Sequence, residues 1–308
     1  MKKRYPVWLV AILASQFLVA CSQSGASFDV SAHATEVLEW RAWRIEQLKK
    51  PSGYLNQIGL FWLEPGSHRF GAAATNDVIF GGDAPDEIGA FEVSDSGISM
   101  RVNPGVDVRS EFEVVSEIDI LADTTDRPVT LNLGSLAWTV VERDGRYAVR
   151  LRDFEHPFVA TFGPLPYFDI APELRVDAKL KRYAEPRIAN VGTVIDGLGY
   201  HPESPGVVEF EIDGNLYELE AYTSGDLLFY VFGDHSNRDA TYGAGRFLYS
   251  ATPGEDGMTV LDFNKSYSPP CAFNDFSTCP VASPRNRLPL RVEAGEKYDP
   301  KLLYSAEH

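Results

Sequence analysis

The chain reads as mainly β, with one N-terminal helix followed by two successive all-β units, and three observations point there. Beyond Pro51, short runs of β-branched and aromatic residues are separated by Gly, Pro, Asn and Asp. Two Asp-Gly pairs, Asp144-Gly145 and Asp213-Gly214, lie between hydrophobic runs, where they supply the positive φ that a tight hairpin needs. Only residues 31–50 place apolar groups at three- and four-residue spacings.

At the N-terminus, Met1-Lys2-Lys3-Arg4 is basic, and Tyr5 to Ala20 is apolar apart from Ser15 and Gln16, the profile of a signal peptide. The run is short for a membrane span, which needs about 20 apolar residues. It ends in Leu18-Val19-Ala20-Cys21, followed by the polar Ser22-Gln23-Ser24-Gly25. This string resembles a bacterial lipobox. The resemblance implies cleavage before Cys21 and acylation of its thiol and new N-terminus, with residues 1–20 as signal peptide and 21–30 as tether. Several acyl chains matter because each buried CH₂ contributes about 0.8 kcal/mol and one chain alone anchors only marginally. Ser22, rather than Asp, after the cysteine directs the expectation to the outer membrane, facing the periplasm. The competing reading is an ordinary secretory signal with an incidental cysteine.

The helix over residues 31–50 carries Val37, Leu38, Trp40, Trp43, Ile45 and Leu48 and is stopped by Pro51. Its aromatic face is expected to pack on the body of the protein; contact with a membrane surface is the alternative. Next come a first β unit over residues 55–157 and a second over 165–308, with Pro164 to Pro172 and Gly197 to Gly206 as junction and loop. Leu227 to Phe232 lacks alternation, which predicts a central strand buried on both faces, and Met258 to Phe263 reads as another strand.

The stretch from Ile58 to Phe154 has a finer pattern: Gly59-Leu60-Phe61-Trp62-Leu63, Gly66, Phe70-Gly71, Asn76-Asp77-Val78-Ile79-Phe80, Ile88-Gly89, Gly134-Ser135-Leu136 and Arg152-Asp153. Their order resembles a forkhead-associated β-sandwich over about a third of the chain. Ala72 stands where that family has its phosphate-binding Arg, and Gly89 and Glu92 stand where Ser and His would be. A glutamate cannot donate hydrogen bonds to phosphate as His can, so phosphothreonine recognition is not expected.

Charge and cysteine usage narrow the classes further. With 28 Lys+Arg against 44 Asp+Glu the net charge is −16, and loss of Lys2, Lys3 and Arg4 makes it more negative. Such a surface repels phosphate backbones, so nucleic acid is not an expected partner. With Cys21 committed to lipid, only Cys271 and Cys279 remain, and in an oxidising compartment two cysteines eight positions apart read as a disulfide. A thiol nucleophile at Cys271 would require that Cys279 not be bonded to it.

The C-terminal unit carries Gly233-Asp234-His235-Ser236, Thr241 to Leu248, the passage from Leu261 to Pro280, Asn286-Arg287-Leu288-Pro289 and Ala294-Gly295-Glu296-Lys297. Together these strings resemble a bacterial and archaeal family catalogued as a domain of unknown function, most strongly from about Phe229 to Lys297. That resemblance implies no reaction.

Read from the residues, Ser268-Pro269-Pro270 forces an extended turn after a strand, and strand-end loops are where rigid scaffolds place functional groups. Asp262, His235 and Arg246 are the candidate catalytic residues, as general base and oxyanion clamp. Asp234, Tyr242, Asn264, Lys265 and Tyr267 are candidate ligand contacts. The same types also hold loops together, and Arg246 would then pair with Asp262 or Glu296.

No Gly-x-Ser-x-Gly elbow, Walker loop or dinucleotide glycine pattern is present, and the six histidines lack zinc-type spacing. No cofactor and no metal are expected; if folding assembled a metal site, Asp234 and His235 would be its first ligands. The leading expectation is an envelope lipoprotein that binds a small molecule, glycan or protein partner, with 14 Tyr and 5 Trp as contact surface. The rivals are an envelope hydrolase built on Asp262, His235 and Arg246, and a purely structural partner of envelope machinery. Oligomeric state is left open.

Overall fold

A computed structural model describes residues 28–304. The expected signal peptide, Cys21 with its expected acylation, and most of the expected tether lie outside the described residues. Helix α1 spans Val30–Lys49. The Asp29 carboxylate accepts the backbone amides of Ser31 and Ala32 at 2.9 and 3.1 Å, satisfying donors that the first helical turn leaves open. Lys50 is already extended, as the residue before Pro51 must be. The docked face is more polar than the apolar spacing suggests: His33, Val37, Arg44 and Leu48 are buried, whereas Leu38 and Trp43 stay exposed. No helix among the described residues is long and apolar enough to cross a membrane.

The first β unit contains β1 (Gln57–Leu63), β2 (Gly66–Gly71), β3 (Val78–Ile79), β4 (Gly89–Ser94), β5 (Gly97–Val102), β6 (Arg109–Ser110) and β7 (Glu113–Val114). It continues with β8 (Glu117–Ile120), β9 (Thr130–Leu133), β10 (Leu136–Arg143) and β11 (Arg146–Asp153). Six strands form one sheet, ordered β1-β11-β10-β9-β6-β7, and five form a second, ordered β3-β2-β4-β5-β8. One core fills the space between them. Phe70 and Phe91 from the five-stranded sheet pack with Trp138, Val140 and Val149 from the six-stranded one, all fully buried. The Phe70 ring lies 4.3 Å from Phe91 and 5.9 Å from Trp138, and burying each such phenyl group stabilises by about 1.5–3 kcal/mol.

Two positions in this sandwich have structural explanations. A Cβ on Gly89 would collide with the Arg101 carbonyl oxygen of the neighbouring strand, so no serine fits there. Asn76 spends its side-chain amide on the Asp86 carbonyl at 2.7 Å. At the tip of β10–β11, Asp144 and Gly145 have φ of 50° and 71°, the left-handed pair that a two-residue hairpin requires.

Short helix α2 (Pro157–Thr161) leads into the second unit: β12 (Arg175–Ile188), β13 (Val191–Gly192), β14 (Gly199–Tyr200), β15 (Glu203–Ile212), β16 (Asn215–Ser224), β17 (Leu227–Phe232), β18 (Arg246–Ala251) and β19 (Met258–Asp262). The large sheet runs β18-β17-β16-β15-β12-β19. Its edges approach each other, since the Thr259 hydroxyl on β19 donates to the Ala251 carbonyl on β18 at 2.8 Å. Strand β17 is buried on both faces, with Leu228, Tyr230 and Phe232 in one core cluster and Phe229 and Val231 in another. It is second from the edge rather than central, because β18 is its outer neighbour. Asp213-Gly214 likewise closes β15–β16, with φ of 52° and 74°.

Cys271 and Cys279 are joined in a disulfide. The loop they close is fastened to the first unit: Asn274 donates to the Tyr54 carbonyl at 2.9 Å, and the Ser277 hydroxyl to Gln57 Oε1 at 2.8 Å. A further contact between the two units is that of His201 with Asp144 at 3.0 Å.

Candidate functional site

Strand β17 leads into a loop that returns to β18, and this reversal carries Asp234 and Arg246 into the interior. Arg246 Nη2 meets Asp234 Oδ2 at 2.7 Å and the Val292 carbonyl at 2.9 Å, while Nη1 donates to the Ala294 carbonyl and to Ser266. The remaining Asp234 oxygen accepts the amides of Ser236 and Val292 at 2.8 and 3.2 Å. Burial raises the cost of ionising Asp234, yet the Arg246 guanidinium and Ser236 outweigh it and hold the carboxyl below the usual aspartate value. This internal pair, in which only Arg246 Nε lacks a partner, ties the 233–246 loop to the 290–296 segment.

A second network docks α1. His33 Nε2 lies 2.9 Å from Asp262 Oδ2, and the other Asp262 oxygen accepts the Asn264 amide and side chain at 3.1 and 3.0 Å. Asn264 also holds both the amide and the carbonyl of Ala171 at 2.8 Å. Further along the helix, Arg44 Nη2 donates to the Ser268 carbonyl at 3.0 Å and Nε lies 3.4 Å from Glu296. Glu296 accepts the Ser268 amide at 3.1 Å; burial pushes its carboxyl up, against the opposing pull of Arg44. Gly295 allows this approach: its φ is +81°, and a Cβ there would strike Ser266.

The expected catalytic residues are therefore placed apart in their bonding. Among the described residues no hydrogen bond joins His235 to Asp262 or Arg246, or Asp262 to Arg246; His235 is exposed, with its amide bonded to the Leu290 carbonyl. Arg246 pairs with Asp234, not with Asp262 or Glu296. No group of three His, Cys, Asp or Glu side chains among the described residues is arranged to hold a metal ion. Tyr242 packs against Tyr298 at 5.3 Å, and burial pushes its phenol up to about 12. Asn264 is fully buried.

Lys265 and Tyr267 do face a concavity. With Trp40, Trp43 and Arg44 of α1 and Leu227 and Tyr249 of β17 and β18, they line a cleft of about 380 Å³. Its floor is Tyr267, with the Arg44 guanidinium 4.4 Å from the ring centroid. Burial, followed by the neighbouring Tyr249, raises Tyr267 well above the ordinary tyrosine range, so it offers a neutral ring and hydroxyl. Trp40 lies 6.2 Å from Tyr267, and Tyr249 stacks on it at 6.4 Å with a 15° interplanar angle. Trp43 and Tyr249 keep 52% and 40% of their surface in solvent, so their faces are open to a ligand.

The cations of this cleft are already paired. Lys265 meets Glu36 and lies 3.9 Å from Asp262, and Arg44 faces Glu296, which leaves Arg44 Nη1 without a hydrogen-bond partner among the described residues. The cleft thus combines four aromatic faces, two polar donors and little net charge. Sequence reasoning singled out Lys265 and Tyr267 but not Trp40, Trp43, Arg44, Leu227 or Tyr249 as contacts. The available signal was the Trp40/Trp43 pair, three residues apart on one helix and so neighbours on its surface.

No curated protein matches the chain. Among solved structures, an NMR structure of an uncharacterized protein of Haloarcula marismortui is 28% identical over 46% of this chain and 79% of that chain, with a TM-score of 0.39. The forkhead-associated resemblance concerns residues 58–154, ahead of the family match. Residues 160–297, which carry α1's docking partners and the β17–β18 wall of the cleft, match the family described as Protein of unknown function (DUF1684).

Proposed function

We propose that the protein is an envelope lipoprotein, held through Cys21 on the outer membrane and facing the periplasm, that binds a neutral saccharide in the cleft between α1 and the β17–β18 face. The carrying observation is the set of rings from Trp40, Trp43, Tyr249 and Tyr267 around one concavity. Aromatic faces bury the apolar side of a pyranose ring, and the tyrosine hydroxyls, Arg44 and Lys265 supply hydrogen bonds to its hydroxyls. Pairing of Arg44 and Lys265 with Glu36, Asp262 and Glu296 leaves no net positive charge to recruit an anion.

The hydrolase reading rests on Asp262, His235 and Arg246, whose hydrogen bonds go to other groups, and it draws no support from that geometry. The test is calorimetric titration of the full chain in lipid nanodiscs with cellobiose and chitobiose. Binding is expected, with Trp43→Ala weakening it at least tenfold, about 1.4 kcal/mol. Absence of binding by either disaccharide, together with Trp43-dependent association with phosphatidylcholine vesicles, would instead make the cleft a membrane-contact surface. For the anchor, intact-mass analysis should show acylated Cys21; an unmodified thiol overturns it.

A further inference from the structure

Strand β17 contributes to two concavities. Leu227 lines the cleft described above, and Phe229, two residues on and on the same face of the strand, lines a second of about 440 Å³. Two residues of extended chain span roughly 7 Å, so the two hollows are neighbours on one sheet face. Between them stands the cross-strand pair Phe229–Tyr249, with ring centroids 4.9 Å apart. The rings form a row: Trp40 against Tyr267, Tyr267 stacked on Tyr249, Tyr249 against Phe229. Tyr200 borders the second hollow, and its ionisation is pushed up by burial and then by Tyr249.

The far wall of the second hollow comes from the sandwich. The tip of the β10–β11 hairpin brings in Glu142, Arg143 and Asp144, opposite His201 and Thr278 of the second unit. Arg143 pairs with Asp123 at 2.7 Å, Asp144 accepts the Gly199 amide at 2.7 Å and faces His201 at 3.0 Å, and Glu142 accepts the Thr124 hydroxyl at 2.9 Å. Polar groups thus line an aromatic strip, and the carboxylates among them disfavour an anionic ligand.

We infer that the two hollows are successive subsites of one groove for a linear neutral oligosaccharide, running from α1 across Tyr249 and Phe229 to the β10–β11 hairpin. This rests on the saccharide reading of the first cleft and extends it from a single ring pair to a chain. The polar rim, with its carboxylate acceptors, suits sugar hydroxyls, which donate and accept, whereas an acyl chain would leave Glu142, Thr278 and His201 facing apolar surface.

The test compares short and long probes on the full chain in nanodiscs: cellobiose with cellohexaose, and chitobiose with chitohexaose. In at least one series the hexamer should bind at least tenfold more tightly than its dimer. Tyr200→Ala should remove that advantage while leaving the dimer's affinity unchanged, and His201→Asn, on the exposed rim, should reduce it several-fold without the risk of opening the core. Trp43→Ala should weaken both lengths. Equal affinities for dimer and hexamer, unmoved by either second-cleft variant, overturn the extended groove and leave the first cleft standing. Failure of every probe to bind overturns both.

Discussion

Asp234 and Arg246 are joined at 2.7 Å in the interior, and neither side chain reaches solvent. Removing one partner of such a pair leaves a buried charge uncompensated, at a cost of about 3–5 kcal/mol, whereas apolar replacement of both is often close to neutral. Asp234→Ala and Arg246→Ala should therefore each lower the urea midpoint severely, and Asp234→Leu with Arg246→Met should recover most of the loss. Additive effects in the double variant would contradict a coupled pair.

Opposite pH dependences are expected from two buried carboxyls. Asp234 has its folded-state value lowered below the ordinary 3.8, so its stabilisation is present above that pH and lost as pH falls through the lowered value. Glu296 has its value raised above the ordinary 4.5, so its contribution is fully present below that pH and lost as pH rises through the raised value. In thermal melts, Glu296→Gln should flatten the decline above pH 4.5 relative to the parent, apart from any uniform offset from Arg44. Parallel Tm–pH curves for the two proteins would refute the assignment.

His33 and Asp262 hold the start of α1 to the end of β19 across 229 positions of sequence. Asp262→Ala leaves the buried imidazole without its partner and frees Asn264, a loss of about 1–3 kcal/mol. Hydrogen exchange should quicken first in residues 30–44, ahead of the sandwich strands. Unchanged protection of α1 would mean that Arg44 and Leu48 dock the helix alone.

Reduction of Cys271–Cys279, or Cys271→Ala with Cys279→Ala, should cost about 2–3 kcal/mol by the chain-entropy argument for a short loop. Because Asn274 and Ser277 on that loop reach Tyr54 and Gln57, the loosening should extend to the start of β1. Proteolysis near Tyr54 after reduction reports it; an unaltered cleavage pattern would confine the effect to the loop.

Much of the architecture was readable from local chemistry. Asp144-Gly145 and Asp213-Gly214 marked their hairpins because few residues tolerate positive φ at two consecutive positions, and Pro51 marked the end of α1 because it restricts Lys50. The unbroken apolar run of β17 showed burial on both faces but not its place in the sheet, which depends on where β18 pairs. The family likeness from Phe229 to Lys297 was visible in the strings themselves.

The candidate site was legible only in part, and the division follows sequence distance. By itself the sequence determined the mainly β class, the helix, the hairpin turns and the nearness of Cys271 to Cys279, all consequences of backbone preference within a few residues. Tertiary structure alone decided which carboxylate Arg246 meets, that Asp262 secures His33, and that Trp40 and Trp43 come to stand opposite Tyr249 and Tyr267. An Arg is equally complementary to any Asp or Glu, and an aromatic ring to any apolar face, so residue type names no partner. Only packing, which brings residues hundreds of positions apart within 3 to 6 Å, makes that choice.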